Sequence, residues 1–291
     1  MILCFDIGGS RIKAALALGD DVQPLGDTPT PRDDFDAFLQ ALRGFVLSRE
    51  ITAVAISIAG VVHPATGRIR VANIPCADGR PLAKDISDVM GLPVLVLNDA
   101  DCFVLAETRR GAGRGHRNVF GVILGTGVGG GLVIDGRLVQ GVGGYSGEWG
   151  HGPVLAPPFD FPCGCGLKGC IDAACGARGL ERLHLHLGGQ AAHSAEILAL
   201  WHSGDAAGHR TVQTWLSLIA PQLALVLNVV GASVVPCAGG LANDRHLLSA
   251  LDDEVRKMIL WQTGAPIVVP AECRVEPGLI GAAEAGREAF S

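Results

Sequence analysis

The sequence predicts an α/β protein of two domains with a duplicated core, on three observations. A strand-like run from Ile2 to Phe5 meets Gly8-Gly9-Ser10 and resumes from Ile12 to Leu18. The same design returns more than a hundred residues later as Val122 to Leu124, the run Gly125 to Gly131, and Leu132 to Ile134. Between the two, Pro93 introduces Val94 to Leu97, an apolar run of buried-strand length that gives way to helix-forming sequence from Ala100 to Thr108. At 291 residues the chain is long enough for two cores of ordinary size.

The elements follow from local patterns. Asp135-Gly136 after Ile134 is a hairpin signal. Phe35, Phe38, Leu39, Leu42, Phe45 and Val46 recur at helical spacing, opened by Asp33 and Asp34 as cap candidates, and Ala53 to Ile58 reads as a short strand. Asn98-Asp99 falls where the buried strand gives way to helix, the kind of strand end at which open α/β sheets gather ligands. Gly111 to Gly115 has linker composition. The expected division is therefore a small domain, 1–112, and a larger one, 113–279. The larger carries a Cys-rich loop at 161–176, helices near 194–203 and 206–229, and a strand near Ser233 to Val235. The last helix, 280–291, is expected to return to the first domain, because chain termini commonly lie close together.

Composition narrows the classes of function. With 23 Lys+Arg against 29 Asp+Glu the net charge is -6, which offers no track for a phosphate backbone, so a small-molecule partner is expected and not a nucleic acid. The N-terminus meets Asp6 without a basic region and does not read as a signal peptide. Leu216 to Val230 is shorter than the ~20 residues that span a bilayer and is interrupted by Pro221, Gln222 and Asn228, so a buried helix is expected and no membrane anchor. Nine cysteines then point to a reducing, cytoplasmic setting and not to a disulfide framework. Cys4, Cys76, Cys102, Cys175, Cys237 and Cys273 read as small core residues, and His184, His186, His193, His202 and His209 as solvated surface.

Three motifs carry chemistry. Gly8 and Gly9, and the run Gly125, Thr126, Gly127, Val128, Gly129, Gly130 and Gly131, remove side chains so that backbone N–H groups can cradle anionic oxygens; the plainer reading is two tight hairpin turns. Neither run has the Lys of a P-loop, and the second leads into a strand where a dinucleotide fingerprint needs a helix. Asp99 is either a helix cap or a general base that takes a proton from a sugar hydroxyl attacking a γ-phosphorus, with Asn98 on a neighbouring hydroxyl. Asp6, at the end of the first strand, could hold Mg²⁺ or form a turn-stabilising bond. Finally, His151, Cys163, Cys165 and Cys170 supply one imidazole and three thiolates, the donor set of a closed structural Zn²⁺ site.

Read in order, Asp6-Ile7-Gly8-Gly9-Ser10, Asn98-Asp99, Gly125 to Gly131, Glu148-Trp149-Gly150-His151, Cys163 to Cys170 and Ala238-Gly239-Gly240 resemble the ROK family of sugar kinases and sugar-responsive repressors. Within it, Thr28 to Asp33, Val71 to Pro75, Gly79 to Leu82 and Leu97 to Phe103 look most like the N-acetyl-D-glucosamine kinase branch. The resemblance implies an actin-like ATPase (ribonuclease H-like) fold with a ligand cleft between two domains. It implies ATP with Mg²⁺ and a hexose or N-acetylhexosamine as partners, and a homodimer. ATP would be held by Asp6, Gly8, Gly9, Ser10 and Arg11, by Gly125 to Gly131, and by Gly239 and Gly240. The sugar would be held by Gly60, Asn73, Asn98, Glu148, His151 and Asp172, with Asp99 as the catalytic base. Two positions depart from the family pattern: Asp172 stands where Glu is usual, one methylene shorter, and Ser10 replaces a Thr while keeping its hydroxyl. A glucokinase or an N-acetylmannosamine kinase is the alternative specificity. A sugar-sensing repressor is disfavoured because no DNA-binding domain is read ahead of the first glycine turn.

Overall fold

The computed structural model describes residues 1–46 and 50–290. Its contacts group the chain into two compact units: 1–111 with 138–146 and 273–291, and 112–137 with 147–272.

The first unit opens with strands β1 (Ile2–Ile7), β2 (Arg11–Leu18) and β3 (Asp21–Pro29), helix α1 (Phe35–Arg43), and strands β4 (Ala53–Ile58), β5 (Val61–Val62) and β6 (Ile69–Arg70). Helix α2 (Leu82–Met90), strand β7 (Val94–Asn98) and helix α3 (Asp99–Arg110) follow. Its sheet runs β3-β2-β1-β4-β7, antiparallel through the β1–β2–β3 meander and parallel from β1 to β4 to β7. The parallel centre explains why β4 is apolar along nearly its whole length: a strand covered on both faces cannot alternate. The one polar side chain in it is Ser57, fully buried. Asp34 caps α1 by accepting from the Ala37 N–H at 3.0 Å. The helix stops at Arg43, so Phe45 and Val46 follow it in a turn, where Phe45 meets Phe5 edge to face at 5.9 Å.

The second unit contains β8 (Val119–Leu124), β9 (Val128–Ile134) and β10 (Arg137–Leu138), then α4 (Ile171–Cys175), α5 (Ala177–His186), α6 (Ser194–His202) and α7 (Ala206–Val230). It ends with β11 (Val235–Ala238), α8 (Arg245–Arg256) and β12 (Val268–Pro270). Its sheet, β10-β9-β8-β11-β12, repeats the strand order of the first, with a hairpin at β8–β9 and parallel pairing from β8 to β11 to β12. That repetition is the duplicated core expected from the two glycine-containing hairpins. Helix α7 has the length and composition to cross a membrane, yet Val212, Trp215, Ile219 and Leu223 are fully buried in this unit's core.

Four sequence expectations need correction. Gly129, Gly130 and Gly131 do not belong to a loop: they lie in β9, paired opposite Ile123, Val122 and Gly121 in the antiparallel ladder with β8. Strand β11 runs from Val235 to Ala238, past the expected Ser233 to Val235, and Val234 precedes it as an isolated parallel bridge to Val119. Helices α2, α4, α5 and α8 were not foreseen, α4 lying inside the segment expected as a Cys-rich loop. His184 is no solvated residue; it is 2% exposed, with Nδ1 2.7 Å from the Thr211 hydroxyl.

The chain closes with helix α9 (Pro277–Phe290), which starts three residues earlier than Ile280; Ser291 lies outside the described residues. It packs on α3, β1 and β4 of the first unit. Gly278, Gly281, Ala282, Ala285 and Gly286 form its buried, small-residue face. A Cβ added to Gly281 would overlap the Cys102 carbonyl, so α9 and α3 approach backbone to backbone. Gly281→Val is therefore expected to cost about 3 kcal/mol, by overpacking an interface with no room to yield. Urea denaturation followed by circular dichroism would measure the loss, and an unchanged midpoint would show that the two helices are not in this contact.

Candidate active site

In the first unit the site residues gather at the carboxyl ends of β1, β4 and β7, as parallel strands dictate. The β1–β2 turn is closed by the Gly8 N–H donating to the Arg11 carbonyl at 3.0 Å, while the Thr30 hydroxyl donates to the Gly8 carbonyl at 2.8 Å. Asn73 lies directly against this turn: a Cβ on Gly9 would sit 3.0 Å from the Asn73 Cβ and Nδ2. The Asn73 Oδ1 is buried with no hydrogen-bond partner. An unsatisfied buried acceptor is costly, so a donor that reached it would be bound favourably.

Asn98 performs two tasks. Its Oδ1 caps α3, accepting from the Ala100 N–H at 2.7 Å, and its Nδ2 donates to the Gly60 carbonyl at 3.0 Å. The cap is thus Asn98, and Asp99 occupies the first helical position, where the helix dipole favours a carboxylate. Asp99 Oδ1 also accepts from the Ala100 N–H at 2.9 Å. Gly60 is fixed in turn, since a Cβ there would press on the Arg70 carbonyl.

Asp6 lies under the first turn of α9, at Gly278. Burial raises its pKa from the ordinary 3.8, against the lowering effects of the Ser57 hydroxyl, which donates to Oδ1 at 2.9 Å, and of Lys13. Lys13 pairs with Glu276 at 2.9 Å. Ser57 was missed in the sequence, although a single hydroxyl in an apolar strand is a readable signal.

In the second unit, the β8–β9 turn is Gly125 to Gly127, closed by the Gly125 N–H donating to the Gly127 carbonyl at 3.0 Å. Gly239, at φ 99°, brings the end of β11 against Leu124 and Gly125, so Gly239 and Gly240 share a corner with the turn. The segment Gly147–Gly150 lies on β9, held by the Trp149 indole N–H donating to the Gly129 carbonyl at 3.0 Å.

His151, Cys163, Cys165 and Cys170 present ligand atoms all within 4.8 Å of one another. The chain folds around them: the Cys163 N–H donates to the Leu167 carbonyl at 2.9 Å, and Gly166 and Gly169 take positive φ of 92° and 75°. The Gly152 N–H points at the Cys170 Sγ, 3.3 Å away. His151 Nδ1 faces the Cys163 Sγ at 3.6 Å, while its Nε2 lies 3.6 Å from the Glu148 carboxylate. An imidazole oriented by a carboxylate on its second nitrogen, with three sulfurs around the first, fits a tetrahedral zinc site. A cavity of about 340 Å³ between this loop and the glycine turn is lined by Thr126, Gly127, Cys163, Asp172, Arg178 and Arg182, among others. The two arginines were not foreseen as site residues.

Asp6 generates a prediction about stability. A carboxylate with a raised folded pKa is stabilised in its neutral form, so its ionised form costs stability above the shifted pKa, and that cost vanishes below the unfolded value. Asp6→Asn, whose amide oxygen can still accept from Ser57, should raise the Tm of nucleotide-free protein at pH 7. The gain should close as the pH falls toward 3.8. Tm against pH for both proteins measures this, and a gain independent of pH would assign it to another cause.

Comparison with known proteins agrees with this geometry. Residues 2–288 match the ROK family. The N-acetyl-D-glucosamine kinase of Salmonella arizonae is 36% identical over 299 residues, which cover 97% of this chain and 98% of that one. Among solved structures, the ROK hexokinase from Thermus thermophilus has a TM-score of 0.86 at 29% identity and covers 97% of this chain and 96% of its own. A ROK family glucokinase from Streptomyces griseus, in complex with glucose and AMPPNP, has a TM-score of 0.75 at 26% identity over 99% of each chain. From the paired sheets, the glycine turns at their strand ends and these end-to-end similarities it follows that this chain belongs to the ROK family and has the actin-like ATPase fold.

Proposed function

We propose that this protein is an ATP-dependent sugar kinase that phosphorylates the 6-hydroxyl of N-acetyl-D-glucosamine, giving N-acetylglucosamine 6-phosphate and ADP. The observation that carries the reading is the Asn98-Asp99 junction, a carboxylate at a rigid helix start on the ligand-binding end of a parallel strand. The named activity of the Salmonella arizonae relative supports the choice of sugar.

Phosphoryl transfer asks a protein mainly for positioning and electrostatic stabilisation. In the proposed reaction the sugar O6 forms a bond to the γ-phosphorus as its proton passes to an Asp99 carboxylate oxygen. The bond from that phosphorus to the β–γ bridging oxygen breaks, and ADP leaves with the electron pair. In this reading Gly60, Asn73 and Asn98 are the sugar-hydroxyl ligands that the first unit supplies, and Glu148 and His151 those that the second supplies. The unpartnered Asn73 Oδ1 is a ready acceptor. Because Asn98 already spends its oxygen on α3 and one amide hydrogen on Gly60, it orients Asp99 as much as it binds sugar. The backbones of residues 8–11 and 125–127 would receive the ATP phosphates, with Gly239 and Gly240 near the adenosine. Gly130 leaves room in β9, where a Cβ would press on the Gly121 carbonyl and the Trp149 ring. Mg²⁺, held by Asp6, would neutralise charge on the nucleotide oxygens. Zn²⁺ would be structural, on His151, Cys163, Cys165 and Cys170, since four protein ligands leave no position for a substrate.

Steady-state phosphorylation of a hexose panel tests the specificity. N-acetyl-D-glucosamine should give the highest kcat/KM; a higher value for glucose or N-acetylmannosamine would reassign the substrate. Asp99→Asn should retain sugar and nucleotide affinity while kcat falls by roughly 10²–10⁴, the usual size of a lost base. Wild-type turnover in that variant would remove Asp99 from the mechanism. Cys165→Ser should lose zinc, read by elemental analysis, and amide exchange across residues 151–170 should quicken because ligand loops rarely stay formed without metal. A metal-free variant with unchanged exchange would show that the loop needs no ion.

A further inference from the structure

The ROK resemblance places Asp172 among the sugar-binding residues, but its surroundings point elsewhere. Asp172 lies in the first turn of α4, and its own N–H donates to the Gly150 carbonyl at 2.9 Å. Its Oδ1 accepts from the Val128 N–H at 2.8 Å, at the exit of the second glycine turn, and Oδ2 lies 3.6 Å from the Cys163 Sγ. The fit at Oδ1 is close enough that a Cβ on Gly127 would overlap the carboxylate. Two more backbone bonds extend the seam: the Ala177 N–H donates to the Gly125 carbonyl at 2.8 Å, and the Arg178 N–H to the Thr126 carbonyl at 3.3 Å. Gly176 has its backbone against Thr126 and Gly127. The segment from Cys170 to Arg178 is thus stitched along the whole turn from Gly125 to Val128, and Asp172 supplies the one side-chain stitch among these.

We infer that Asp172 is a positioning residue for the nucleotide side: its carboxylate fixes the second glycine turn to the loop of His151 and the three cysteines. The proposal rests on the assignment of that turn to the ATP phosphates. A shorter side chain than Glu suits the task, since it keeps the carboxylate within reach of the Val128 N–H instead of extending it beyond the turn. The turn's N–H groups bind anionic oxygens only while the backbone holds its shape, so a carboxylate that pins one end tunes nucleotide affinity without touching the nucleotide.

The test compares zinc-replete wild-type protein with Asp172→Ala, Asp172→Asn and Gly127→Ala. Amide hydrogen exchange is read at Val128, alongside separate titrations with a non-hydrolysable ATP analogue and with N-acetyl-D-glucosamine. One lost hydrogen bond corresponds to about a tenfold change. Asp172→Ala should speed Val128 exchange about tenfold and weaken the ATP analogue by a similar factor, leaving sugar affinity within about twofold. Asp172→Asn keeps an accepting oxygen and should stay close to wild type in all three. Gly127→Ala displaces the carboxylate without replacing it and must also speed Val128 exchange, which keeps the proposal exposed if Asp172→Ala does not fold. Unchanged Val128 exchange, or a loss confined to sugar affinity, would overturn it. If the wild-type protein bound neither ligand, the kinase reading would fail while Val128 exchange still decided the role of Asp172.

Discussion

Backbone can meet backbone only where no Cβ intervenes, and both units are assembled around such approaches. Gly281 lets α9 rest on the Cys102 carbonyl, which seats the first turn of that helix over Asp6. Gly239 lets the end of β11 meet Leu124 and Gly125, which brings two glycine pairs to one corner. Gly176 and Gly127 do the same for the seam between α4, α5 and the β8–β9 turn. In each place a single methyl group would separate segments far apart in sequence. The many glycines of this chain are therefore contact points as much as turns, and they bring distant backbones together at the strand ends.

Around these contacts the protein accepts local costs. Asp6 is a buried carboxylate whose ionised form is disfavoured, and Asn73 keeps a buried oxygen without a partner. Neither is explained by stability alone, and both lie beside the first glycine turn. Sites that bind charged or polar ligands commonly store such costs until the ligand supplies the missing charge or donor. Glu107, fully buried in α3, is a contrasting case: its Oε1 accepts the Cys273 N–H at 2.7 Å and serves the fold. The distinction lies in where the polar atom points, not in how deeply it is buried.

The site also shows how one polar side chain can set another. Asn98 spends its oxygen on the end of α3 and its amide on Gly60, and Asp99 is oriented by the helix that results. Glu148 stands in the same relation to His151, facing its Nε2 while Nδ1 faces the Cys163 sulfur. Such pairs make the chemistry of one residue depend on the geometry of a neighbour.

The sequence by itself determined the class of fold, the two hairpins, the strand-to-helix position of Asp99 and the His151–Cys170 donor set. Each of these is a local signal: an apolar run of strand length, a glycine pair between strands, or soft ligands crowded into a short loop. It could not tell that Gly129 to Gly131 are strand, because glycine permits both turn and ladder and only the pairing with Gly121 to Ile123 chooses. The extent of β11 depended on its pairing with β8, more than a hundred residues away. Helix α8 carried a readable pattern in Leu247, Leu248, Leu251 and Val255. Ser57 beside Asp6, the seating of α9 and the direction of the Asp172 carboxylate were decided by tertiary structure alone. Periodicity records which face of an element is apolar, whereas the partner of a buried polar atom is fixed only when distant backbones close upon it.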